Sequence, residues 1–295
     1  MDSLKNYIKR ASVFLIKKVF IPILYRKNTV NLMEKDWKNL IILDACRFDL
    51  FNEVREKYNL KGELNAEYSN ASETQEFLLK NFAQKFYKDI VYITANPFVD
   101  RLVRDKFFKV ISVWKDGWDD KCKTVLPSVM YEKALKYIRK YPNKRIIIHF
   151  IQPHYPYINY DVGDESFEEL RDATFESRDQ KSLNKVTNDF FKIYTANFYV
   201  TMDTNIHWKA YKDNLEQAIP YVKKLLNNLP GKTVVTADHG EAFGEKVHPL
   251  IPFKIYGHPI DYKIPVLTKV PWYISNNELN IEKSKIKNII NKTKL

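Results

Sequence analysis

The sequence predicts an α/β fold, a three-layer α/β/α sandwich around a central, mostly parallel sheet. Three short apolar runs, Lys38–Asp44, Arg145–Phe150 and Lys232–Ala237, are typical of buried parallel strands. Segments with apolar residues at helical spacing alternate with these runs, as in βαβ units. Each run also leads into acidic, amide or imidazole side chains. Because chemistry in such folds collects beyond the carboxyl ends of the strands, these polar ends predict one shared site.

The first half of the chain supplies the early elements of this pattern. Strand Lys38–Asp44 is followed by a predicted helix over Arg47–Tyr58. Further strands are predicted over Asp89–Thr94 and Val110–Trp114. Pro127–Tyr141 then predicts a helix, because a proline stands at its start and apolar residues share one face.

The second half repeats the alternation. Strand Arg145–Phe150 is followed, after a polar stretch, by a predicted helix over Trp208–Leu226, which a Pro-Gly pair ends. Lys232–Ala237 and Val266–Ile274 are the last two predicted strands. The acidic segment Asp161–Asp179 is expected to be a solvated surface loop or a lid.

Composition bounds the class of protein. The 295 residues are 45% hydrophobic and 14% aromatic, which excludes a disordered chain. Only 7 glycines and 13 prolines exclude collagen-like and low-complexity classes. Two cysteines, Cys46 and Cys122, cannot build a disulfide framework. We therefore expect a cytoplasmic location, with peripheral attachment at the inner membrane surface as the alternative.

The net charge of +12 lies mainly at the two ends of the chain. Residues 1–27 carry seven basic residues against one acidic, and residues 276–295 carry five lysines against two glutamates. A nucleic-acid enzyme would carry its positive charge along a central groove, so we expect no nucleic-acid partner. We expect a basic amphipathic segment over residues 1–35, a catalytic domain over 36–275 and a basic helix or tail over 276–295.

The basic N-terminal segment has two possible uses. Its apolar runs, Val13–Ile16 and Val19–Tyr25, are split by two lysines and are too short to cross a bilayer. Residues 1–27 could lie on an anionic membrane surface. The alternative is a helix that packs on the catalytic body with its lysines in water.

The sharpest motif is VVTADHGEAFGE, over Val234–Glu245. Asp238 and His239 directly follow a buried strand and offer a hard oxygen and a borderline nitrogen ligand, which suit Zn or Mn. Gly240 lets the backbone pass close to an ion. Alternatively, Asp238 caps the next segment and His239 binds a neighbouring loop.

Together with LDACRFD early in the chain and QPHYPY midway, the ADHGE motif resembles the alkaline phosphatase superfamily, most closely its sulfatase-like branch. The resemblance runs from about Asn39 to about Trp272. It implies an α/β sandwich, one or two divalent metal ions, and in-line attack on a phosphate or sulfate ester. On this sequence, Asp44 matches the metal ligand after the first strand.

The resemblance also assigns later positions. Asp238 and His239 match the family's later pair of ligands, and His258 in KIYGHP resembles its late metal-binding histidine. His154 falls where relatives place either a ligand of a second metal or a substrate-binding histidine. A loop histidine bound to a backbone carbonyl is the alternative for His154.

The family's nucleophile is usually Ser, Thr or a modified Cys. Neither Cys46 nor Cys122 is followed by the x-Pro-x-Arg pattern of the modified-Cys branch. In SNASETQEFLLKNF, a helix is predicted over Glu73–Phe82 with Ser72 as its N-cap. A hydroxyl at a helix N-terminus lies where backbone N–H groups favour anions. Thr74 resembles the family's Thr nucleophile, and Ser72 is the competing hydroxyl.

Arg47 lies three residues past Asp44, where its guanidinium could hold a tetrahedral anion in a catalytic or substrate-binding role. Pairing with Asp49 or Glu53 is the alternative. His149 lies inside a strand and is expected to be structural, whereas His207 begins a helix and is expected on the surface. His248 is expected in a loop before Pro249, and Tyr211 and Asn214 are expected to pack around the site.

These expectations combine into a metal-dependent hydrolase or transferase that acts on phosphate esters, or less favourably on sulfate esters. A divalent ion (Zn, Mn, Mg or Ca) at Asp44, Asp238 and His239 would also contact Thr74 and lower the pKa of its hydroxyl. His258, with or without His154, would hold a second ion or the leaving oxygen. The alternatives are a membrane-surface transferase for phosphoglycans or lipid headgroups, a sulfatase with an unmodified nucleophile, and a binding protein without turnover.

Overall fold

The computed structural model describes residues 14–160 and 204–275, and the expectations for Asp161–Asp179 and for residues 276–295 lie outside these ranges. The strands are β1 Asn39–Leu43, β2 Gly62–Tyr68, β3 Tyr87–Thr94, β4 Phe107–Ser112, β5 Trp118–Asp119, β6 Thr124–Val125, β7 Arg145–Phe150, β8 Thr233–Ala237, β9 Ala242–His248, β10 Ile251–Gly257 and β11 Lys269–Ser275. The α-helices are α1 Ile21–Leu24, α2 Phe48–Lys57, α3 Thr74–Phe82, α4 Pro97–Leu102, α5 Pro127–Lys140, α6 Thr204–Asn228 and α7 Pro265–Thr268.

A seven-stranded sheet forms the centre of the described chain, in the order β2-β11-β8-β1-β7-β3-β4. Within it, β11 runs antiparallel to both of its neighbours, whereas β8, β1, β7, β3 and β4 are parallel. Helices α2 and α5 both contact α6, and α3 contacts α4. Every residue of β1 and β8 is buried, so both faces of the sheet are covered. The predicted α/β sandwich with a mostly parallel sheet is confirmed.

Strand register brings the predicted polar ends together. β1 lies between β7 and β8, and Leu43 is level with Phe150 on one side and Ala237 on the other. The chain therefore leaves all three strands at the same edge of the sheet. Asp44 and Asp238 are the first residues beyond β1 and β8.

Two predicted strands are shifted along the chain. The strand expected over Val110–Trp114 begins earlier, as β4, and a 3-10 turn over Val113–Lys115 replaces its end. The strand expected over Val266–Ile274 begins only at Lys269, because Pro265 opens the short helix α7.

Strand β2 and the hairpin of β9 and β10 have no counterpart in the prediction. Much of β2 is exposed, and its sequence GELNAEY contains no apolar run that would announce a strand. Its pairing with β11 makes it an edge strand. The β9–β10 hairpin directly follows the ADHGE motif and returns the chain to His258.

The N-terminal helix, residues 16–24, passes from a π-helical turn over Ile16–Phe20 into α1. Ile16 and Ile21 pack against a small core formed with Val247 and Ile255 of the hairpin. Among residues 14–160 and 204–275, no helix has both the length and the apolar character that crossing a bilayer requires.

Candidate metal centre and active site

Asp238 organises the carboxyl edge of the sheet. Its Oδ1 accepts hydrogen bonds from the backbone N–H groups of Ala45 and His239, both at 2.9 Å. Its Oδ2 accepts the Thr74 hydroxyl at 2.7 Å. One carboxylate thus ties the ends of β1 and β8 to the start of α3, and it is fully buried.

His239 presents its Nε2 to the same point. Its Nδ1 lies 2.8 Å from the Gly240 carbonyl, and an Nδ1–H donated there leaves the lone pair on Nε2. Nε2 is 3.4 Å from Asp238 Oδ2 and 3.7 Å from Asp44 Oδ1. Burial lowers the pKa of His239, which favours the neutral ring that a metal ion needs.

Asp44 completes the first ligand group, which consists of Asp44, Asp238 and His239. Its outer oxygen, Oδ2, accepts a hydrogen bond from Asn96 Nδ2 at 2.7 Å, so Oδ1 is held toward the group. Burial and then the charge of Asp238 raise the pKa of Asp44 well above its usual range. Burial also disfavours a charge on Asp238, but His239 and His149 beside it lower the pKa of Asp238.

Thr74, the first residue of α3, lies against this group. Its Oγ1 is 2.7 Å from Asp238 Oδ2, 3.2 Å from His239 Nε2 and 3.4 Å from Asp44 Oδ1. The structure therefore brings together the four side chains that the sequence suggested for the first cation.

The cap of α3 differs from the prediction. Glu73, rather than Ser72, is the N-cap, and its carboxylate accepts the N–H groups of Gln75 and Glu76. The Ser72 hydroxyl donates instead to the Pro259 carbonyl at 3.1 Å. Glu73 thus occupies backbone N–H groups that could otherwise bind an anion. The start of α3 therefore has fewer N–H donors for a phosphate group than the sequence suggested.

A second ligand group consists of His154, Glu241 and His258. His258 Nδ1 lies 3.0 Å from Glu241 Oε2, and the rings of His154 and His258 have centroids 5.0 Å apart. The centroid of His258 is also 4.6 Å from that of His239, so the two groups adjoin. Burial lowers the pKa of both His154 and His258 to about 4, which keeps the rings neutral.

The loop that carries His154 is held by Asn214 of α6. Asn214 Nδ2 lies within 3.2 Å of the carbonyls of Pro153, His154 and Pro156, and its Oδ1 accepts the Ile158 N–H at 3.1 Å. A single buried amide therefore fixes the loop backbone on both sides of the histidine.

Tyr211, one turn earlier on α6, fixes the turn after Asp44. Its hydroxyl donates to the Ala45 carbonyl and accepts the Arg47 N–H at 3.0 Å. Ala45 has a φ of 57°, a left-handed conformation that costs a residue with a Cβ roughly 1–2 kcal/mol. Tyr211 and Asp238 both bind Ala45 and so hold the strained turn in place.

The first ligand group fits a divalent cation. Zinc with bonds near 2.0–2.2 Å in a tetrahedral site would separate its donor atoms by roughly 3.4 Å. The distances from His239 Nε2 to Thr74, Asp238 and Asp44 run from 3.2 to 3.7 Å. Two buried carboxylates also need a compensating positive charge if both are to be ionised. The buried Asp and His side chains could thus hold one or two divalent ions.

Arg47 is engaged elsewhere. Its guanidinium pairs with Asp49 at 2.6 Å and with Glu245, donates to the Glu241 carbonyl at 3.3 Å, and stacks on Trp208. Of its two expected uses, the structure contains the pairing with Asp49. The guanidinium thus links the start of α2 to the chain around Glu241.

The three remaining histidines of the described residues lie in different surroundings. His149, on β7, is buried with Nδ1 3.0 Å from the Tyr92 hydroxyl and Nε2 3.8 Å from Asp44 Oδ2. His207 was expected on the surface but is buried, because it packs beside the Tyr157 ring. His248 lies in the hairpin, where its Nδ1 accepts the Leu250 N–H.

Glu241 is the ligand candidate that the sequence prediction missed. It stands in the ADHGE motif, but the metal assignment stopped at His239. A signal was present, since Glu241 follows His239 by two residues and so shares its loop. Its partners His154 and His258 lie 87 and 17 residues away, and only the folded chain places them together.

Comparison with known proteins rests on structure. No protein-family profile matches the sequence, and neither does any curated protein. The integral membrane lipooligosaccharide phosphoethanolamine transferase A (EptA) from Neisseria meningitidis is 12% identical, with a TM-score of 0.51 over 92% of this chain and 59% of that one. The chain thus spans about three fifths of that protein.

Two further solved structures match more weakly. A protein in the alkaline phosphatase superfamily from Vibrio parahaemolyticus is 11% identical, with a TM-score of 0.42 over 80% of this chain and 59% of its own. The C-terminal periplasmic domain of EcEptC from Escherichia coli, in complex with Zn, is 13% identical, with a TM-score of 0.41 over 84% and 75% of the two chains.

The structural match contradicts the expected cytoplasmic location. The EptA neighbour is named an integral membrane protein. The expectation depended on the cysteine count, and Cys46 and Cys122 are both free thiols. A chain without a disulfide framework folds on its apolar core in either compartment, so the count does not discriminate.

The parallel sheet, the motifs at its carboxyl edge and the match in tertiary structure agree with one another. The chain therefore shares the fold of the EptA neighbour, which is the α/β fold that the resemblance to the alkaline phosphatase superfamily implied.

Proposed function

We propose that this chain is a metal-dependent enzyme that cleaves phosphate esters, with Thr74 as the nucleophile. One observation carries the proposal. The Thr74 hydroxyl lies 2.7, 3.2 and 3.4 Å from Asp238, His239 and Asp44, at the edge of the sheet where β1 and β8 end. A hydroxyl surrounded by two carboxylates and a neutral imidazole has the surroundings of an activated nucleophile.

Asp44, Asp238 and His239 would hold the first cation, and Thr74 Oγ1 would face it. Once bound, such an ion supplies Lewis-acid polarisation and lowers the pKa of a neighbouring hydroxyl. The protein contributes the positions of its own atoms. Asn96 keeps Asp44 Oδ1 inward, the Ala45 N–H fixes Asp238 Oδ1, and Asp238 Oδ2 holds the Thr74 proton.

The covalent step forms one bond and breaks one. Thr74 Oγ1 attacks phosphorus in line, its proton passes to Asp238 Oδ2, which already accepts its hydrogen bond, and the P–O bond to the leaving alcohol breaks. The leaving oxygen takes up a proton, and phosphothreonine remains at the start of α3. Water or an acceptor alcohol then attacks the same phosphorus and restores Thr74.

The second ligand group is proposed to act on the leaving-group side of the phosphate ester. This group adjoins His239 and is buried. It consists of two neutral imidazole rings, His154 and His258, and the carboxylate of Glu241. They would hold a second cation or the leaving oxygen. Because Glu73 already occupies N–H groups at the start of α3, the positive charge that compensates the ester would come from cations held by the two ligand groups.

Transfer to an alcohol is the second candidate for the final step. The EptA neighbour is named a phosphoethanolamine transferase, so its fold accommodates an acceptor other than water. Sulfate esters are less favoured, because neither cysteine stands in the pattern that the modified-Cys sulfatases use. A binding protein without turnover is also less favoured, because binding alone does not require a hydroxyl among the three metal-ligand candidates.

The test combines turnover with trapping of the intermediate. The full chain is incubated with Zn or Mn and with p-nitrophenyl phosphate, its bis-ester or p-nitrophenyl sulfate. Hydrolysis and transfer are separated by adding an acceptor alcohol such as glycerol. Acid quenching and peptide mass spectrometry then locate any phosphorylated residue.

Thr74→Ala should lose both turnover and phosphopeptide while metal remains bound. Ser72→Ala is the matched control, because its hydroxyl is two residues away and points to Pro259. Phosphate found on Ser72, or unchanged turnover in Thr74→Ala, would overturn the assignment. Absence of metal-dependent turnover with every ester would favour the binding protein.

A further inference from the structure

The N-terminal helix, residues 16–24, exposes apolar side chains that a surface helix usually buries. Phe20, Ile23 and Leu24 are 48%, 71% and 43% exposed, whereas Ile21 is buried. An amphipathic helix on a folded domain normally turns its apolar stripe toward the core. An apolar stripe that stays exposed is typical of a site that binds a partner or a membrane.

Lysines on the same helix point the other way. Lys18 forms an ion pair with Asp261 at 2.9 Å, and the Lys17 ammonium lies 5.0 Å from the centroid of the Tyr262 ring. These polar contacts attach the helix to the body and leave Phe20 and Ile23 facing solvent. The helix thus buries Ile21 against the body and still leaves a second apolar stripe, with Phe20 and Ile23, in water.

The adjoining hairpin turn extends the apolar surface. Tyr25 donates its hydroxyl to the Val247 carbonyl at 2.8 Å, and its ring centroid lies 6.1 Å from that of His248. Two residues farther on, Leu250 is 85% exposed at the tip of the hairpin. Helix and hairpin tip together present apolar side chains at one end of the molecule.

A basic cavity of about 360 Å³ opens at the foot of the helix. Ser69 and Thr268 also line it, on the side of the catalytic body. The charged side chains of its wall are Lys17, Lys18, Arg26, Lys27 and Lys263, opposed by Asp261 alone. An anion of the size of a phosphate group has both the space and the charge it requires there.

We propose that the N-terminal helix and the hairpin tip dock on the surface of an anionic lipid bilayer. Phe20, Ile23 and Leu250 enter the boundary between headgroups and acyl chains, and the basic cavity receives a lipid phosphate. A second copy of the chain is the less favoured occupant, because pairing two such surfaces would bring two sets of basic side chains together. The proposal is independent of the chemistry at Thr74.

Flotation of the full chain with vesicles tests the proposal. Vesicles of phosphatidylcholine alone are compared with vesicles that also contain phosphatidylglycerol, and we expect the anionic vesicles to bind at least about tenfold more chain. The double variant Phe20→Ser, Ile23→Ser should bind at least about tenfold more weakly, since it loses two apolar contacts. Phe86→Ser is the matched control, because Phe86 is 59% exposed on another part of the surface.

Charge is tested separately with Arg26→Glu, Lys27→Glu, which should weaken binding to anionic vesicles by about tenfold or more and reduce its dependence on salt. Circular dichroism melts confirm that each variant is folded. The proposal is overturned if the wild-type chain stays with the unbound fraction, or if the apolar variant binds as the wild type does. Sedimentation showing a dimer that only the apolar variant disrupts would assign the surface to self-association instead.

Discussion

Replacing Asp238 separates its role in folding from its role in binding a cation. In Asp238→Asn, the amide oxygen can still accept the N–H groups of Ala45 and His239, which Oδ1 accepts at 2.9 Å. The amide nitrogen takes the place of Oδ2 and cannot serve as a metal ligand. In Asp238→Ala, both N–H groups lose their buried acceptor.

The two variants therefore differ by a calculable amount. Each buried N–H left without a partner costs about 1–3 kcal/mol, so Asp238→Ala should lower the free energy of unfolding by roughly 2–6 kcal/mol relative to Asp238→Asn. For the wild type, a cation at about 100 times its Kd adds about 2.7 kcal/mol. With an unfolding entropy of about 2.1 cal/mol/K per residue, that corresponds at this chain length to a rise in Tm of roughly 4 °C.

The assay is a thermal melt of each chain in chelator and in increasing Zn or Mn. The metal-induced rise in Tm of Asp238→Asn should be smaller than that of the wild type by the amount above, because only the second ligand group still binds. Asp36→Asn, at an exposed carboxylate paired with Lys232, is the matched control and should keep the full rise. An undiminished rise in Asp238→Asn would refute the first ligand group. Equal melting of the Ala and Asn variants in chelator would refute the hydrogen-bond argument.

Three further predictions concern the surroundings of the two groups. Gly240→Ala places a Cβ 2.2 Å from the Val266 carbonyl oxygen, so we expect a loss of about 1–3 kcal/mol in urea unfolding and weaker metal binding in a titration. Unchanged metal affinity would show that the loop accommodates the methyl group. Asn214→Ala removes the amide that holds the His154 loop and should cost about 1–3 kcal/mol, with turnover reduced more than the metal content of the first ligand group. Glu241→Gln should lower the bound metal, measured by elemental analysis, while Zn or Mn still raises the Tm; unchanged metal content would exclude Glu241 as a ligand.

Much of the fold could be predicted because local pattern is enough for buried strands. The runs in β1, β7 and β8 are apolar throughout, and parallel strands covered on both faces have that composition. Their carboxyl ends share one edge of the sheet, so the proximity of Asp44 and Asp238 could be predicted from the sequence. Edge strand β2 could not, since its exposed residues carry no such pattern.

Local rules failed where a distant partner competed. Ser72 has the residue type of an N-cap, but Pro259 supplies its hydroxyl with an acceptor and Glu73 caps α3 instead. Arg47 could reach an anion or a carboxylate, and Glu245, 198 residues away, helps to engage it. Each outcome depended on which groups the fold brought within hydrogen-bonding distance.

The sequence by itself determined the buried strands β1, β7 and β8, the acidic and imidazole residues that follow them, and the candidate hydroxyl at Thr74. These features depend on composition and spacing over a few residues, which the chain carries in any conformation. Only the tertiary structure decided that Glu241 joins His154 and His258, and that the N-terminal helix leaves Phe20 and Ile23 exposed. Such pairings form when long loops close, and the free energy that selects among them comes from the packing of the whole domain.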